Sequence, residues 1–486
     1  MVEAGESEMT ECAQMFIAGE WCDGGAGTAE VLNPSNGQPI GAVAISDCAD
    51  LDRALASADG AFSGWSRTSA YERSAILRKA GDLLRARAEE IGRLMTIEQG
   101  KPYEEAKGEV MGSADHIDWA AEEGRRIYGR VIPARAPNVS QIAYKVPLGV
   151  VAGFSPWNFP VSQAVRKIAG ALGAGCSIVI KCPEETPYSC AELVRCFADA
   201  GVPAGVLNLV YGVPSEISEH LIPAAPVRMV SFTGSIPVGK HLGELAARHV
   251  KRCTLELGGH SPFIVAEDAD VDAALALAVG LKFRNAGQVC ASPSRFMVHE
   301  RHYDRFVDGF VKGAEALKVG DGFTKGVQMG PLANIRRLEA MEAFVQDATD
   351  RGATLRFGGR RIGNEGYFFE PTVLTDVPED ARLMVEEPFG PLAPIAPFSS
   401  LDQAIEKANQ LPFALAAFAF GSSQHTVSQL SEGLEAGMVS INHFGIASPE
   451  TPFGGMKESG YGSEGGVEGM EAFITTKFVS AASLAA

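Results

Sequence analysis

The chain has 486 residues, enough for two or three domains of about 150 residues each. Hydrophobic residues make up 46% and charged residues 21%, a globular composition that excludes a disordered or fibrous chain and needs no disulfide or structural metal to form a core. The formal net charge of −18 argues against nucleic acid or an anionic membrane as partner, because phosphates are repelled, but leaves room for a locally positive pocket.

From the N-terminus, MVEAGESEMTE is acidic and lacks an apolar core, so no secretory signal is expected there. Residues 17–21 and 31–34 read as short strands around a turn rich in glycine at Gly24, Gly25 and Gly27. Leu77, Leu83, Leu84, Ile91 and Leu94 recur near a period of 3.6, which predicts one amphipathic helix over about 70–98. From about 147 short apolar strands alternate with helices. The strand 150–154 is followed by a helix from about 160, and 177–180 by one from about 187. Strands at 206–210 and 229–232 follow, each with a helix behind it. Such a rhythm predicts a parallel sheet covered on both faces, with ligands at the carboxyl ends of its strands. A second α/β stretch begins near 260 with 263–265 as its first strand, and Gly258-Gly259 reads as a hinge. No apolar run of about 18 residues occurs, so nothing is expected to span a bilayer; 164–180 comes nearest, and Arg166 and Lys167 interrupt it. Nine scattered cysteines without a CxxC pair or a Cys/His cluster predict free, cytoplasmic thiols and no metal site.

Several segments carry candidate chemistry. The only G-x-G-x-x-G, Gly460–Gly465, follows no apolar strand and opens no βαβ unit, so it is rejected as a dinucleotide fingerprint. Gly234-Ser235-Ile236-Pro237-Val238-Gly239-Lys240 follows a strand and opens a helix, where bare N–H groups attract a pyrophosphate. It is also nearly a P-loop, and a Walker-B-like strand at 263–268 keeps an NTPase as a rival, although His241 stands where Ser or Thr must hold Mg²⁺. A plain tight turn is the third reading. Lys181 and Glu184 follow a strand end, where they suit the hydroxyls of a cofactor ribose or serve as solvated loop charges. Cys290, in the amide-rich loop Phe283–Cys290, is a candidate nucleophile or an inert core thiol. Glu256 in Thr254-Leu255-Glu256-Leu257-Gly258-Gly259 is flanked at period two by leucines. Its carboxylate is either a desolvated general base or a paired structural acid. Asn158 in Pro156-Trp157-Asn158-Phe159-Pro160 is placed to donate to an oxyanion or to cap a helix.

Together these segments resemble the NAD(P)-dependent aldehyde dehydrogenase superfamily from about residue 15 to 480. The resemblance is carried by PWNFP, FTGSxxxGK, LELGG, NAGQxC, Glu386–Pro391 and Pro452–Gly460, and by the 34-residue separation of Glu256 and Cys290. It demotes the NTPase reading, and the intact trio Cys290, Glu256 and Asn158 argues against a non-catalytic, crystallin-like scaffold. The resemblance implies an α/β fold: a Rossmann-like NAD-binding domain (1–126 and 147–257), an α/β catalytic domain (258–458) and a small β arm (127–146 and 474–486) for a homodimer or homotetramer. It implies that Cys290 attacks the aldehyde to give a thiohemiacetal, that Asn158 and the Cys290 N–H form the oxyanion hole, and that Glu256 activates water to hydrolyse the thioester. Lys167 and Glu464 match a proton-relay pair. Lys181 and Glu184 match adenosine-ribose binders; Gly234 and Ser235 match the pyrophosphate turn; Trp157, Glu387 and Phe389 match the nicotinamide-ribose side. Glu184 favours NAD over NADP. Glu256 favours hydrolysis over transfer to coenzyme A.

For the substrate, Arg166, Arg284 and Ser448 match the two arginines and the serine with which the succinate-semialdehyde branch grips a distal carboxylate, a task the guanidinium fork suits. The other reading is that Arg284 pairs with a structural acid and Arg166 merely lines a helix. The C-terminal block 448–466 also resembles enzymes of 2-oxoglutarate semialdehyde; glutarate semialdehyde or a broad specificity remains open. Ala291-Ser292 after Cys290 removes the second cysteine of a redox switch found in some relatives.

Overall fold

The structure, a computed structural model, describes residues 12–483. The acidic N-terminal stretch and residues 484–486 of the expected arm lie outside the described residues. Two sheets dominate. One has eight strands, in the order Glu20–Cys22, Met15–Ile17, Leu207–Val210, Ser177–Lys181, Val150–Phe154, Val227–Gly234, Arg252–Leu257 and Gly460–Tyr461. Its five central strands run parallel, while its edges are antiparallel. The second has seven strands, ordered Thr354–Phe357, Thr372–Thr375, Leu392–Phe398, Pro293–His299, Ser261–Val265, Ala416–Phe420 and Met438–Ile441. Each sheet has its own apolar core, and the chain passes from one to the other at Gly258-Gly259.

The local causes are legible. Every residue of Val150–Phe154 and Ser177–Lys181 is buried, as befits strands covered on both faces. The helices Pro160–Ala174 and Pro187–Ala200 start on proline and stop at Gly175 and Gly201, whose φ of 92° and 102° only glycine adopts without strain. A third sheet pairs Ile474–Ala482 with Val139–Pro147 and Arg130–Ile132.

Two sequence expectations need correction. The first hairpin turns at Ala18-Gly19, both at positive φ, so residues 17–21 span a turn between two strands instead of forming one. The strand Thr28–Leu32 pairs with Pro39–Ala44, not with that hairpin. The helix over 70–98 is two helices, Ala70–Ala86 and Ala88–Gln99, parted at Arg87. The apolar period runs across the break because both helices bury their stripes in the same core. Among the described residues no helix is long and apolar enough to cross a membrane, and no cluster of three His, Cys, Asp or Glu is placed to hold a metal.

Candidate active site between the two sheets

The loop before Cys290 is wound left-handed through Asn285, Ala286 and Gly287, at φ 48°, 52° and 72°. Such a conformation costs an L-residue about 1–2 kcal/mol. Hydrogen bonds hold it: Asn285 receives Gln99 Nε2 on its Oδ1 at 3.0 Å, and its Nδ2 donates to the Asn158 carbonyl at 3.0 Å. Its backbone N–H donates to Glu105 at 3.1 Å. At Gly287 a Cβ would lie 2.2 Å from the Gly390 carbonyl, so the turn demands glycine. The loop delivers Cys290, half-buried, to the wall of a cavity of about 390 Å³. Burial, reinforced by the charges of Glu387 and Glu256, pushes the thiol up to about 12. The Ala291 N–H and Arg166 pull the other way. At rest Cys290 is therefore a thiol that needs a base.

Asn158 lines the same cavity. It does not cap the helix: Phe159 holds that position, without a side-chain cap. Its Nδ2 donates to the Gln288 carbonyl at 3.0 Å, leaving the second amide hydrogen for an oxyanion. Its backbone is pinned from behind by Lys101, whose Nζ donates to the Asn158 carbonyl at 2.8 Å and pairs with Glu109 at 2.6 Å. The other Glu109 oxygen accepts the Val161 and Ser162 N–H groups, both at 3.1 Å, and so caps the helix that Asn158 precedes.

Glu256 faces Cys290 across the cavity from the strand Arg252–Leu257. It is 2% exposed and neither carboxyl oxygen has a hydrogen bond. Desolvation, with the charge of Glu464, pushes it well above the usual carboxylate range. A structural acid would be paired; this one is not. Behind it Lys167 Nζ donates to Glu464 Oε1 and Thr233 Oγ1, both at 2.6 Å, in a fully buried cluster.

A wider cleft of about 1040 Å³ continues from this cavity past Trp157, Gly234 and Ser235, which line both. On its floor Lys181 Nζ meets Glu184 Oε1 at 2.6 Å, and that oxygen also accepts the Gly212 N–H at 3.0 Å. Ser235 stands at the N-terminus of the helix Ile236–Arg248, its side chain making no cap. Only Ser235 separates strand from helix, so no backbone loop wraps a phosphate as a P-loop does, and Lys240 pairs with Glu458 at 2.7 Å. Gly460–Tyr461 is an edge strand beside Leu255 and Glu256, not a phosphate loop. In the wall of the Cys290 cavity the Gly259 N–H donates to Glu387 at 3.1 Å, and burial lifts that carboxyl to about 7. Phe389, at φ 44°, meets Trp157 edge-on at 5.6 Å.

Comparison with known proteins places this arrangement. The profile described as "Aldehyde dehydrogenase family" matches residues 21–479. The chain belongs to the aldehyde dehydrogenase family. It is 49% identical over 469 residues to the 4-(hydroxymethyl)benzenesulfonate dehydrogenase TsaD1 of Comamonas testosteroni, covering 96% of this chain and 98% of that protein. It is similar to the crystal structure of succinate-semialdehyde dehydrogenase from Burkholderia pseudomallei, with a TM-score of 0.95 at 42% identity over 97% of this chain and 98% of the other. The NAD+ complex of aldehyde dehydrogenase from Bacillus cereus matches with a TM-score of 0.95 at 35% identity, over 98% and 97% of the two chains.

In this aldehyde dehydrogenase the three residues expected at the substrate's far end are spread out. Arg166 is 9% exposed and lies beside Glu464 behind the Cys290 cavity, its guanidinium 4.8 Å from the ring centre of Phe453, a wall of that cavity. It makes only long contacts, 3.4 Å, to the carbonyls of Glu464 and Ala447, and its Nε has no partner. Ser448, half-buried, follows Ala447. Arg284 is exposed, stacked at 5.4 Å on Phe159, and lines none of these cavities. Among the described residues neither arginine has an ion pair within 4.0 Å, so the structural-pair reading of Arg284 is not met.

The sequence reading missed Lys101, Glu109, Asn285, Arg337 and Gln163. Arg337 holds Phe389 through its carbonyl at 3.1 Å. Lys101 and Glu109 carry no signal beyond two charges eight residues apart; only the fold reveals that both are buried.

Proposed function

We propose that this aldehyde dehydrogenase oxidises an aldehyde bearing a distal anionic group, with a carboxylated ω-semialdehyde foremost, to the free acid with NAD. The observation that carries the reading is Arg166: a buried guanidinium beside the reaction cavity that no carboxylate contacts directly, although the charges of Glu464 and Glu256 act on it from farther away. Burying an unpaired charge is expensive unless a ligand supplies the partner. Both relatives named above for a substrate are named for an anion, one a carboxylate and one a sulfonate.

Cys290 is the nucleophile, and its high thiol pKa means that Glu256 accepts its proton as it adds to the carbonyl. Asn158 Nδ2 and the Cys290 N–H hold the oxyanion. Bound NAD supplies the hydride acceptor. Glu256 passes the thiol proton toward Lys167 and Glu464, and, ionised again once the thioester has formed, takes a second proton from the attacking water. The cleft suits the cofactor: Lys181 and Glu184 present a donor and acceptors for ribose hydroxyls, Ser235 and the helix N-terminus face the pyrophosphate, and Glu387 takes the second ribose. The Glu184 carboxylate repels a 2′-phosphate, which favours NAD over NADP. The arm sheet exposes Val131, Tyr144 and Phe478, which supports a homo-oligomer formed through it.

The test compares kcat/KM for succinate semialdehyde, 2-oxoglutarate semialdehyde, 4-formylbenzenesulfonate and butanal in wild type and Arg166→Met. An anionic aldehyde should exceed butanal about tenfold or more, and Arg166→Met should raise KM about ten- to a hundredfold for anionic aldehydes only. Equal effects on butanal overturn the anion reading.

A further inference from the structure

The helices Pro160–Ala174 and Pro187–Ala200 start alike. Each opens on proline, and neither has a side-chain cap at Phe159 or Thr186. The leading N–H groups of a helix have no partner within it, so a buried start needs an acceptor from elsewhere. Both helices receive a buried glutamate from a neighbouring helix. Glu109, on Tyr103–Glu123, accepts the Val161 and Ser162 N–H groups. Glu98, on Ala88–Gln99, accepts the Tyr188 N–H at 2.8 Å on Oε2 and the Ser189 N–H at 2.9 Å on Oε1.

The segments that lead into these helices carry the chemistry. The first holds Asn158. The second, residues 182–186, joins the strand end at Lys181 to the helix start and holds Glu184. The sheet fixes its strand side, where the Cys182 N–H donates to the Val210 carbonyl at 3.3 Å. Glu98 grips its helix side, with the Tyr211 hydroxyl donating to the Pro187 carbonyl at 2.8 Å. Glu98 is 2% exposed, and it lines the same cofactor cleft as Lys181 and Glu184. Burial lifts its carboxyl to about 7, while the Tyr188 and Ser189 amides pull the other way. Lys101 neutralises Glu109, whereas among the described residues Glu98 has no ion pair. Glu98 therefore bears on the helix start and serves no buried cation.

We infer that Glu98 is a positioning residue for the cofactor: by fixing the first turn of Pro187–Ala200 it presets the loop that receives the adenosine end of NAD. Glu109 does the same for the helix that follows Asn158, so two neighbouring helices set both half-sites. The inference rests on the placement of the adenosine ribose at Lys181 and Glu184, and is independent of which aldehyde the enzyme takes.

The test measures binding of 5′-AMP and of NAD to the full-length enzyme by calorimetry, without aldehyde, in wild type, Glu98→Gln and Glu98→Met. At about pH 8 the Glu98 carboxylate is ionised. Glutamine keeps one acceptor but turns an NH₂ group toward the second amide, and methionine keeps neither acceptor. The Kd of both ligands should rise about three- to tenfold in Glu98→Gln and further in Glu98→Met, as charge-assisted bonds at a helix start are lost. The KM for NAD should rise by more than kcat falls. A role in stability alone would lower the unfolding midpoint and leave the Kd of 5′-AMP at its wild-type value, and that result overturns the inference. So does a fall in kcat with both Kd values unchanged. If Glu98→Met does not fold, Glu98→Gln, near-isosteric and leaving no buried cation unpaired, still decides. Lys181→Met separates this from the placement beneath it. If Lys181→Met weakens 5′-AMP and Glu98→Gln does not, the inference alone falls. If Lys181→Met leaves 5′-AMP binding unchanged, the ribose placement falls, while the Kd in Glu98→Gln still decides whether Glu98 presets the adenosine end.

Discussion

The reaction cavity and the cofactor cleft adjoin, yet they treat their polar groups in opposite ways. In the cleft Lys181 and Glu184 are already paired at 2.6 Å, with Gly212 as a further donor. In the cavity Glu256 has no hydrogen bond to either oxygen and Gln163 has none on its Oε1, and beside the cavity Arg166 has no ion pair. A cleft that only binds gains by being pre-ordered. A cavity that must move protons and recognise a charge gains by holding groups whose partners arrive with the substrate, and it accepts the desolvation cost in advance.

The contrast can be broken at several points. The largest effect is expected for Cys290→Ser, which should lower kcat by about 10³-fold or more while leaving NAD binding near wild type. Unchanged turnover would remove Cys290 as nucleophile. Glu256→Gln should slow turnover about 10²- to 10⁴-fold and suppress the first-turnover burst of NADH, because the same carboxylate takes the Cys290 proton and activates water. Near-wild-type turnover would move the base elsewhere.

Lys101→Met probes the support beneath the cavity. It leaves Glu109 buried without its cation, a loss of about 3–5 kcal/mol in unfolding free energy, and it frees the Asn158 carbonyl. Denaturant unfolding should show the loss, and kcat should fall more than the KM for NAD rises. The smallest effect is expected at Glu387, in the cavity wall. Glu387 is lifted to about 7 by burial, so it is neutral below that pH and ionised above it. NAD affinity should strengthen as pH rises through 7, because the carboxylate accepts ribose hydroxyls more strongly than the acid does. Glu387→Gln should flatten that profile. The same shift contributes stability that is full below the ordinary carboxyl pKa of 4.5 and lost as pH rises through 7, so the unfolding free energies of wild type and variant should diverge over that window.

Much of this was legible in the chain. Continuous apolar strands such as Val150–Phe154, set between proline-started and glycine-stopped helices, announce a parallel sheet because both faces of each strand must be dry. The left-handed turn into Cys290 is marked by Asn285 and Gly287, residue types that tolerate such a turn. Other features were not legible. The break at Arg87 interrupts no apolar period, and the turn at Ala18-Gly19 lies inside an apolar run.

The sequence by itself determined most of the order of strands and helices, because that depends on local pattern, and it singled out Cys290, Glu256, Asn158 and the Lys181–Glu184 pair as candidates whose roles the family resemblance implied. Only the tertiary structure decided which charges are buried and whether they have partners. Arg166 and Arg284 are the same residue type, yet packing leaves one sealed beside the cavity and the other in solvent. Gln163 reads as an ordinary helical glutamine in the sequence; only the fold places it in the wall of the Cys290 cavity with its Oε1 buried and unbonded.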